Sequence, residues 1–136
     1  MKIFILEDNI ERVKSFRKMF HPEQLVFTDK VEYAKDILKK DTFDVLFLDH
    51  DLGGEIFVES NREDTGYELV KYIVENELQK KARICIHSHN PFGSEYMLKA
   101  LEKANYTAFL KPFAVLYTEY KVDRLHKIYF KEKRKG

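Results

Sequence analysis

The chain has 136 residues, of which 44% are hydrophobic and 35% are charged, with only 5 Gly and 3 Pro. This composition is typical of a single globular domain, here 1–136, and excludes a disordered or fibrous protein. The formal net charge of +1 hides an uneven distribution, because residues 121–136 contain seven Lys or Arg and two acidic residues. A basic carboxyl-terminal helix and tail is therefore predicted after a mildly acidic body.

The amino-terminal residues and the cysteine content bear on the compartment. The apolar run Ile3–Leu6 is too short for a signal peptide, and no run approaches the length of a membrane span. The single cysteine, Cys85, excludes an internal disulfide and stands in an apolar run, which favours a buried thiol and a reducing compartment. We therefore expect a cytoplasmic protein without a membrane partner.

Short apolar runs alternate with segments whose apolar residues recur at helical spacing. The runs predicted as buried strands are 3–6, 25–28, 45–48, 83–86 and 107–110. The segments predicted as helices are 10–20, 31–38, 66–78, 94–105 and 122–129. Asp29 and Glu32 form a capping box before the second helix, and Asn90 before Pro91 is interpreted as a turn residue. This alternation predicts an α/β fold with helices on both faces of a parallel sheet.

A long polar segment separates the third strand from the third helix. It begins at Gly53 and Gly54 and runs to Gly66, with a short apolar stretch at 56–58. Connections of this length are often functional in compact domains, so a lid over the site is one interpretation. An insertion or a short hairpin without a function fits the pattern equally well.

Ionisable and polar residues follow the strands where each apolar run ends. They are Glu7 and Asp8, Asp49, His50 and Asp51, His87 to Asn90, and Lys111. The carboxyl ends of parallel strands meet at the ligand-binding crevice of an open sheet. Carboxylates at one point repel one another unless a cation joins them, and oxygen ligands suit Mg²⁺ or Mn²⁺. A lysine and a hydroxyl there would hold phosphoryl oxygens, so the pattern predicts phosphoryl chemistry.

In the order and spacing of these residues, 1–113 resembles the receiver domain of two-component response regulators. The resemblance implies a doubly wound, flavodoxin-like sheet of five parallel strands in the order 2-1-3-4-5. It also implies a phosphoryl group on Asp49 and a bound Mg²⁺ or Mn²⁺ ion. The metal ligands that it implies are Glu7, Asp8, Asp49 and the backbone carbonyl of Asp51. The residues that it places around the phosphoryl group are Ser88 and Lys111, the latter followed by Pro112.

Three features depart from the family pattern. The position three residues before the lysine, an aromatic residue in most receivers, is Ala108, and the segment after Asp49 is longer than usual. Asp51 and His89 occupy the positions that flank the path of water to the phosphoryl group, where they could act as acid and base. The Asp49-x-Asp51 spacing is similar to that of haloacid-dehalogenase-type phosphatases. With its histidines, the chain resembles the receiver-like subgroup proposed to process cyclic phosphates.

The histidines divide into those near the predicted site and those outside it. Side chains alternate along a strand, so His87 and His89 are predicted on one side and Ser88 on the other. His87, deeper in the strand, is interpreted as a satisfied core residue, and His89 is placed in the site. A zinc site built from His50, His87, His89 and an aspartate is an alternative. It ranks below Mg²⁺, because the sequence has no tight ligand spacing such as His-x-x-x-His. Two histidines without companions are predicted on the surface: His21 and His126.

Two functions of different classes remain open, with a third behind them. One is a stand-alone signalling module that takes a phosphoryl group from a phosphodonor and presents the face beside strand five to a protein partner. It ranks slightly ahead, because it needs only residues that match the family motifs. The other is a metal-assisted phosphoesterase with Asp51 and His89 as acid and base; the third is a degenerate receiver that only binds. Nucleic acid is not expected, since no binding motif appears, although the basic tail leaves it open.

Overall fold

The computed structural model describes residues 1–52, 62 and 64–120. All five strands have the predicted bounds: β1 Ile3–Leu6, β2 Leu25–Thr28, β3 Val45–Leu48, β4 Arg83–Ile86 and β5 Thr107–Leu110. The helices are α1 Ile10–Met19, α2 Val31–Lys40, α3 Gly66–Glu75, α4 Pro91–Lys103 and α5, residues 113–120. A short 3-10 helix, Pro22–Gln24, precedes β2. Most of the predicted loop at 53–66, and all of the predicted basic helix and tail at 121–136, lie outside the described residues.

The strands form one parallel sheet in the order β2-β1-β3-β4-β5. This confirms the predicted fold class and strand order. The register of β1, β3 and β4 aligns Ile5, Phe47 and Cys85 in one row. Cys85 is buried in that row, as predicted, and burial raises the pKa of its thiol to about 12. The thiol is therefore protonated and unreactive at neutral pH.

Helices cover both faces of the sheet, because residues that alternate along each strand feed two separate cores. The larger core packs the strands against α2, α3 and α4. The smaller core packs the other face against α1 and α5, and it includes Phe16 and Met19 from α1 and Phe113 from α5. Among the described residues, no helix is long and apolar enough to cross a membrane.

One helix cap and one helix start differ from the predictions. The capping box of Asp29 and Glu32 is wrong, because α2 begins after Lys30 without a side-chain cap. The helix predicted from Ser94 begins three residues earlier. Asn90 caps α4 by accepting a hydrogen bond from the Gly93 N–H at 3.0 Å, and Pro91 needs no hydrogen-bond partner for its nitrogen at the first helical position.

The end of α3 and the start of the last helix also differ from the predictions. α3 ends at Glu75 rather than at residue 78, and the chain turns through Glu77 and Gln79, which both have positive φ angles. The Leu78 N–H then bonds the Ile73 carbonyl at 3.0 Å, which closes the end of the helix. α5 begins at residue 113, before the apolar pattern from which a last helix was predicted.

Candidate metal and phosphate site

Three buried ionisable residues extend one row of the sheet beyond the ends of its strands. Glu7, Asp49 and His87 each stand two positions after a member of the aligned row Ile5, Phe47 and Cys85. Because side chains alternate, all three continue the face that α1 covers. Each offers a ligand atom within 4.8 Å of the others, and this is the only such group found in the described part of the chain. We call it the carboxylate–histidine cluster.

Backbone amides fix the two carboxylates of this cluster. The Glu7 Oε2 atom accepts hydrogen bonds from the N–H groups of Asp8 and Asn9, at 3.1 and 3.2 Å. The Asp49 Oδ1 atom accepts one from the His50 N–H at 2.8 Å. The other Glu7 oxygen, Oε1, lies 2.9 Å from His87 Nε2. Each carboxylate therefore has one oxygen held by the backbone and one directed elsewhere.

Burial dominates the electrostatics of the cluster. It raises the pKa of Asp49 to about 7, although His87 acts in the opposite direction. Burial also raises the pKa of the Glu7 carboxyl and lowers that of His87 to about 4. At neutral pH the imidazole is therefore neutral and the carboxylates are poorly solvated. Two such carboxylates and a neutral imidazole are a donor set that fits a divalent cation.

Arg12 is a site residue that the sequence analysis missed. Its Nη1 atom lies 3.5 Å from Glu7 Oε1 and 3.8 Å from Asp49 Oδ2, and its side chain is 26% exposed. The guanidinium also lies 5.6 Å from the centre of the Phe113 ring. The signal was present, because Arg12 precedes Phe16 by four residues and so shares the buried face of α1.

The two histidines that follow β4, predicted on the same side of the chain, differ in their exposure. His87 is fully buried, as predicted, but it contacts Glu7 in the carboxylate–histidine cluster, whereas His89 is exposed. The His87 ring packs near Phe16 and Phe47, with ring centres 5.4 and 6.5 Å away. Within the residues that the structure covers, His87 Nδ1 has no hydrogen-bond partner.

A second polar cluster follows β3 on the opposite side. The Asp51 Oδ1 atom lies 2.7 Å from His50 Nδ1 and accepts a hydrogen bond from Asn90 Nδ2 at 3.0 Å. His50 is fully buried, and Asn90 also caps α4. These contacts join the end of β3 to the start of α4. We call His50, Asp51 and Asn90 the Asp51 cluster.

Two glycines fit closely against the two clusters. A Cβ atom on Gly66 would lie 1.9 Å from the Asp49 backbone oxygen, and the Gly66 N–H donates to the His50 carbonyl at 2.9 Å. A Cβ atom on Gly93 would lie 2.4 to 2.6 Å from atoms of the His50 ring. Both positions therefore require close approach rather than an unusual backbone conformation.

The remaining predicted site residues lie outside the two clusters. Asp8 is half-buried beside Glu7. Ser88 is buried, and its Oγ accepts a hydrogen bond from the Asn90 N–H at 3.1 Å. With His89, it lines a cavity of about 480 Å³ between α4 and β5. Lys111 does not contact the carboxylates of Glu7 and Asp49 in the structure. Its Nζ instead lies 2.6 Å from Glu119 Oε2.

Solved structures with the same fold include receiver domains. A receiver domain protein from Methanospirillum hungatei is 14% identical, with a TM-score of 0.60 over 99% of this chain and 98% of that chain. The chemotaxis protein CheY4 of Vibrio cholerae is 17% identical, with a TM-score of 0.60 over 90% of this chain and 96% of that chain. A sensor protein from Polaromonas is 13% identical, with a TM-score of 0.61 over 88% and 92%. At these identities the likeness concerns the fold.

Sequence comparison narrows the assignment. None of the curated proteins matches this sequence. The model of a family described as the cyclic-phosphate processing receiver domain matches residues 1–103. That range contains the carboxylate–histidine cluster, Arg12 and the Asp51 cluster, and it agrees with the resemblance drawn from the histidines and the Asp49-x-Asp51 spacing. By this match, which spans most of its length, the chain belongs to the family of cyclic-phosphate processing receiver domains.

Proposed function

We propose that this chain is a metal-dependent phosphoesterase whose substrate class is a cyclic phosphate ester. The observation that supports the proposal most is the buried cluster of Glu7, Asp49 and His87, whose ligand atoms all lie within 4.8 Å of one another and so could hold one divalent cation. The description of the family points to the same class of substrate. The His87 imidazole is also not a group that a simple phosphoryl acceptor requires.

In this proposal the carboxylate–histidine cluster binds the cation and Arg12 binds the phosphoryl group of the substrate. Glu7, Asp49 and His87 would hold the cation, Mg²⁺ or Mn²⁺, which supplies Lewis-acid polarisation of a phosphoryl oxygen. Arg12 lies beside both carboxylates, and its side chain is 26% exposed. A guanidinium in this position can donate two parallel hydrogen bonds to a phosphoryl group. Arg12 would therefore orient the substrate and balance its charge.

Hydrolysis of a cyclic phosphate also needs two proton transfers. Water adds to phosphorus, one ester P–O bond breaks, the water loses a proton, and the departing alkoxide gains one. We assign acceptance of the proton from water to Asp51, which stands two residues after Asp49 and is held by His50 and Asn90. His89, exposed beside Ser88, is the residue proposed to protonate the alkoxide.

Turnover of 2′,3′-cyclic nucleotides in the presence of Mn²⁺ or Mg²⁺ tests this function. We expect hydrolysis by the unmodified chain, loss in Asp49→Asn, and a strong decrease in Asp51→Asn. A matched control is Asp44→Asn. Asp44 is an exposed carboxylate that accepts a hydrogen bond from the Lys2 backbone N–H, and it lies before β3 rather than after it, where the carboxylate–histidine cluster is. Absence of turnover with every cyclic nucleotide and both metals would contradict the proposal.

A phosphoryl-acceptor module is the second candidate, and one observation favours it. One Asp49 oxygen is held by the His50 N–H, while Oδ2 faces Arg12 and has the position of a nucleophile beside a cation. In that function, acetyl phosphate would leave a phosphoryl adduct, visible by intact mass and absent in Asp49→Asn. A stable adduct without cyclic-nucleotide turnover would select this second candidate.

A further inference from the structure

The geometry points to a first-row transition-metal cation, with Mn²⁺ as the probe, bound through His87 Nε2 as well as Glu7 and Asp49, in preference to Mg²⁺. This inference rests on the proposed cation site and names the metal class that it selects. A hard cation such as Mg²⁺ takes oxygen ligands and gives up its water reluctantly, whereas imidazole nitrogen suits first-row transition metals such as Fe²⁺, Ni²⁺ or Zn²⁺. Mn²⁺ is the hardest of that row: it takes carboxylate oxygens as Mg²⁺ does but also accepts an imidazole nitrogen beside them, which makes it the probe for a mixed ligand set.

The first support for this ligand set is its spacing. Ligand atoms about 2.1 Å from one cation lie about 3.0 to 4.2 Å from one another in octahedral geometry. The three candidate ligand atoms all lie within 4.8 Å of one another, and His87 Nε2 is 2.9 Å from Glu7 Oε1. Only small shifts would therefore bring the three atoms around one ion.

The second support is preorganisation. Backbone N–H groups hold Glu7 Oε2 and Asp49 Oδ1, so each carboxylate is prepared to use its other oxygen as a single ligand. Phe16 and Phe47 pack near the His87 ring, and this packing limits its rotation. An imidazole held with Nε2 toward two carboxylates is arranged as a ligand, not only as a packing residue.

The third support is burial. Glu7, Asp49 and His87 are all at most 3% exposed. A cation among them would lose much of its hydration on that side, a loss that Mg²⁺ resists more than Mn²⁺ does. The rim is formed by Arg12, which lies near both carboxylates. In the absence of metal this guanidinium partly balances them, so metal binding would compete with Arg12.

Binding and spectroscopy of the full chain test the inference without an activity assay. Calorimetric titration should give Mn²⁺ at least about tenfold tighter binding than Mg²⁺. Electron spin-echo modulation of the bound Mn²⁺ should show a directly coordinated ¹⁴N nucleus, and this signal should change to that of ¹⁵N when histidine is labelled with ¹⁵N. His87→Gln should remove the nitrogen signal and weaken Mn²⁺ binding about 10- to 100-fold, with little effect on Mg²⁺.

His89→Gln is the matched control, because His89 is exposed and lies only two residues away; it should keep the nitrogen signal and the Mn²⁺ affinity. The isotope experiment uses the unmodified chain, so it stays decisive even if His87→Gln does not fold. Bound Mn²⁺ without a nitrogen signal, or equal affinity for Mg²⁺, would overturn the inference. Turnover supported by Mg²⁺ alone would then leave the proposed function standing, whereas nitrogen-bound Mn²⁺ without turnover would uphold the inference and reject that function.

Discussion

The two polar clusters that follow β3 differ in how their charges are balanced. In the carboxylate–histidine cluster, burial raises the pKa values of Asp49 and Glu7, and Arg12 only approaches them at 3.5 Å or more. In the Asp51 cluster, the carboxylate of Asp51 has contacts of 2.7 and 3.0 Å to His50 and Asn90. The first cluster is adjacent to α1, and the second joins α4.

This difference indicates that the two clusters have different functions. A cluster whose carboxylates are desolvated and close together stores unfavourable free energy that a bound cation can relieve. A single carboxylate held at 2.7 and 3.0 Å by two side chains, as Asp51 is, keeps a fixed orientation. We therefore assign binding of charge to the first cluster and positioning of Asp51 to the second. The predictions below separate these assignments, in order of decreasing effect.

The largest expected effect is a pH-dependent stability difference between the unmodified chain and Asp49→Asn without metal. The folded-state pKa of Asp49, about 7, lies above its ordinary value of 3.8. Burial thus favours the protonated carboxyl of Asp49 in the folded state. The contribution of this carboxyl to the stability of the fold is therefore fully present below pH 3.8 and is lost as the pH rises through 7. Relative to the unmodified chain, Asp49→Asn should gain up to about 4 kcal/mol between those limits. Urea denaturation in EDTA at several pH values measures this difference.

The pKa shift of His87 changes the stability of the fold in the opposite direction with pH, so its contribution must be separated from that of Asp49. Its pKa is lowered from 6.5 to about 4, so its contribution is present above pH 6.5 and is lost as pH falls to 4. Both proteins contain His87, so to a first approximation this contribution cancels in their difference. A difference that stays constant from pH 4 to 8 would show that Asp49 is not destabilised by burial. Saturating Mn²⁺ should reverse the sign at neutral pH, since Asp49→Asn removes a ligand.

The next effect concerns metal affinity. Glu7→Gln keeps the size and the backbone contacts of the side chain but removes its charge. We expect Mn²⁺ affinity to fall at least about 100-fold, because even residues outside the ligand shell cost 10- to 100-fold. Calorimetry measures the affinity, and Asp51→Asn serves as the comparison from the other cluster. Equal losses in both variants would remove the distinction between the clusters.

The strands and the sheet order were predictable because each apolar run is short, continuous and ended by polar residues. The same pattern predicted that Glu7 and Asp49 would lie at one edge of the sheet, where the carboxylate–histidine cluster is found. The contact of His87 with Glu7 was not predicted, because alternation was considered along one strand at a time. Register across strands decides the matter: Glu7, Asp49 and His87 all stand two positions beyond one aligned row. That register depends on pairing between distant segments, which local pattern does not specify.

Contacts made by long side chains were less accessible to sequence analysis. Lys111 follows β5 as the resemblance requires, but its flexible side chain contacts Glu119 on the first described turns of α5. The caps of α2 and α4 depend on backbone geometry at single residues, Lys30 and Asn90, which the apolar spacing of a helix does not specify. The sequence therefore predicted the place of the site better than its internal contacts.

Two glycine substitutions provide a steric test of the comparison. Gly66→Ala would force a methyl group against the Asp49 backbone, whereas Gly93→Ala would press on the His50 ring. We expect Gly66→Ala to lower the free energy of unfolding by about 1–3 kcal/mol and to weaken Mn²⁺ binding. Gly93→Ala should cost less, because a ring can tilt, and should lower turnover more than Mn²⁺ affinity. Thermal denaturation and calorimetry check both; an equal loss of Mn²⁺ affinity would contradict the separation.

Asn90 combines two roles that substitutions can separate. Its Oδ1 caps α4, and its Nδ2 donates to Asp51. Asn90→Ser keeps a cap and should stay within about 0.5 kcal/mol of the unmodified stability, whereas Asn90→Ala should lose about 1 kcal/mol. Both should lower turnover severalfold, because both release Asp51. Unchanged turnover in Asn90→Ser, measured on a cyclic nucleotide, would show that Asp51 does not need this hydrogen bond.

The smallest expected effect concerns Lys111, a cationic side chain that belongs to neither cluster. The Lys111 ammonium pairs with Glu119 at the surface, and an exposed pair of this kind contributes between 0 and about 1 kcal/mol. Glu119→Gln would release Lys111 and, if that residue serves the phosphate, should tighten binding of inorganic phosphate by up to about fivefold. The double variant Lys111→Met with Glu119→Gln should lose this gain. A gain that persists without Lys111 would show that Lys111 does not bind the phosphate, which would leave Arg12 as the cationic residue proposed for that role.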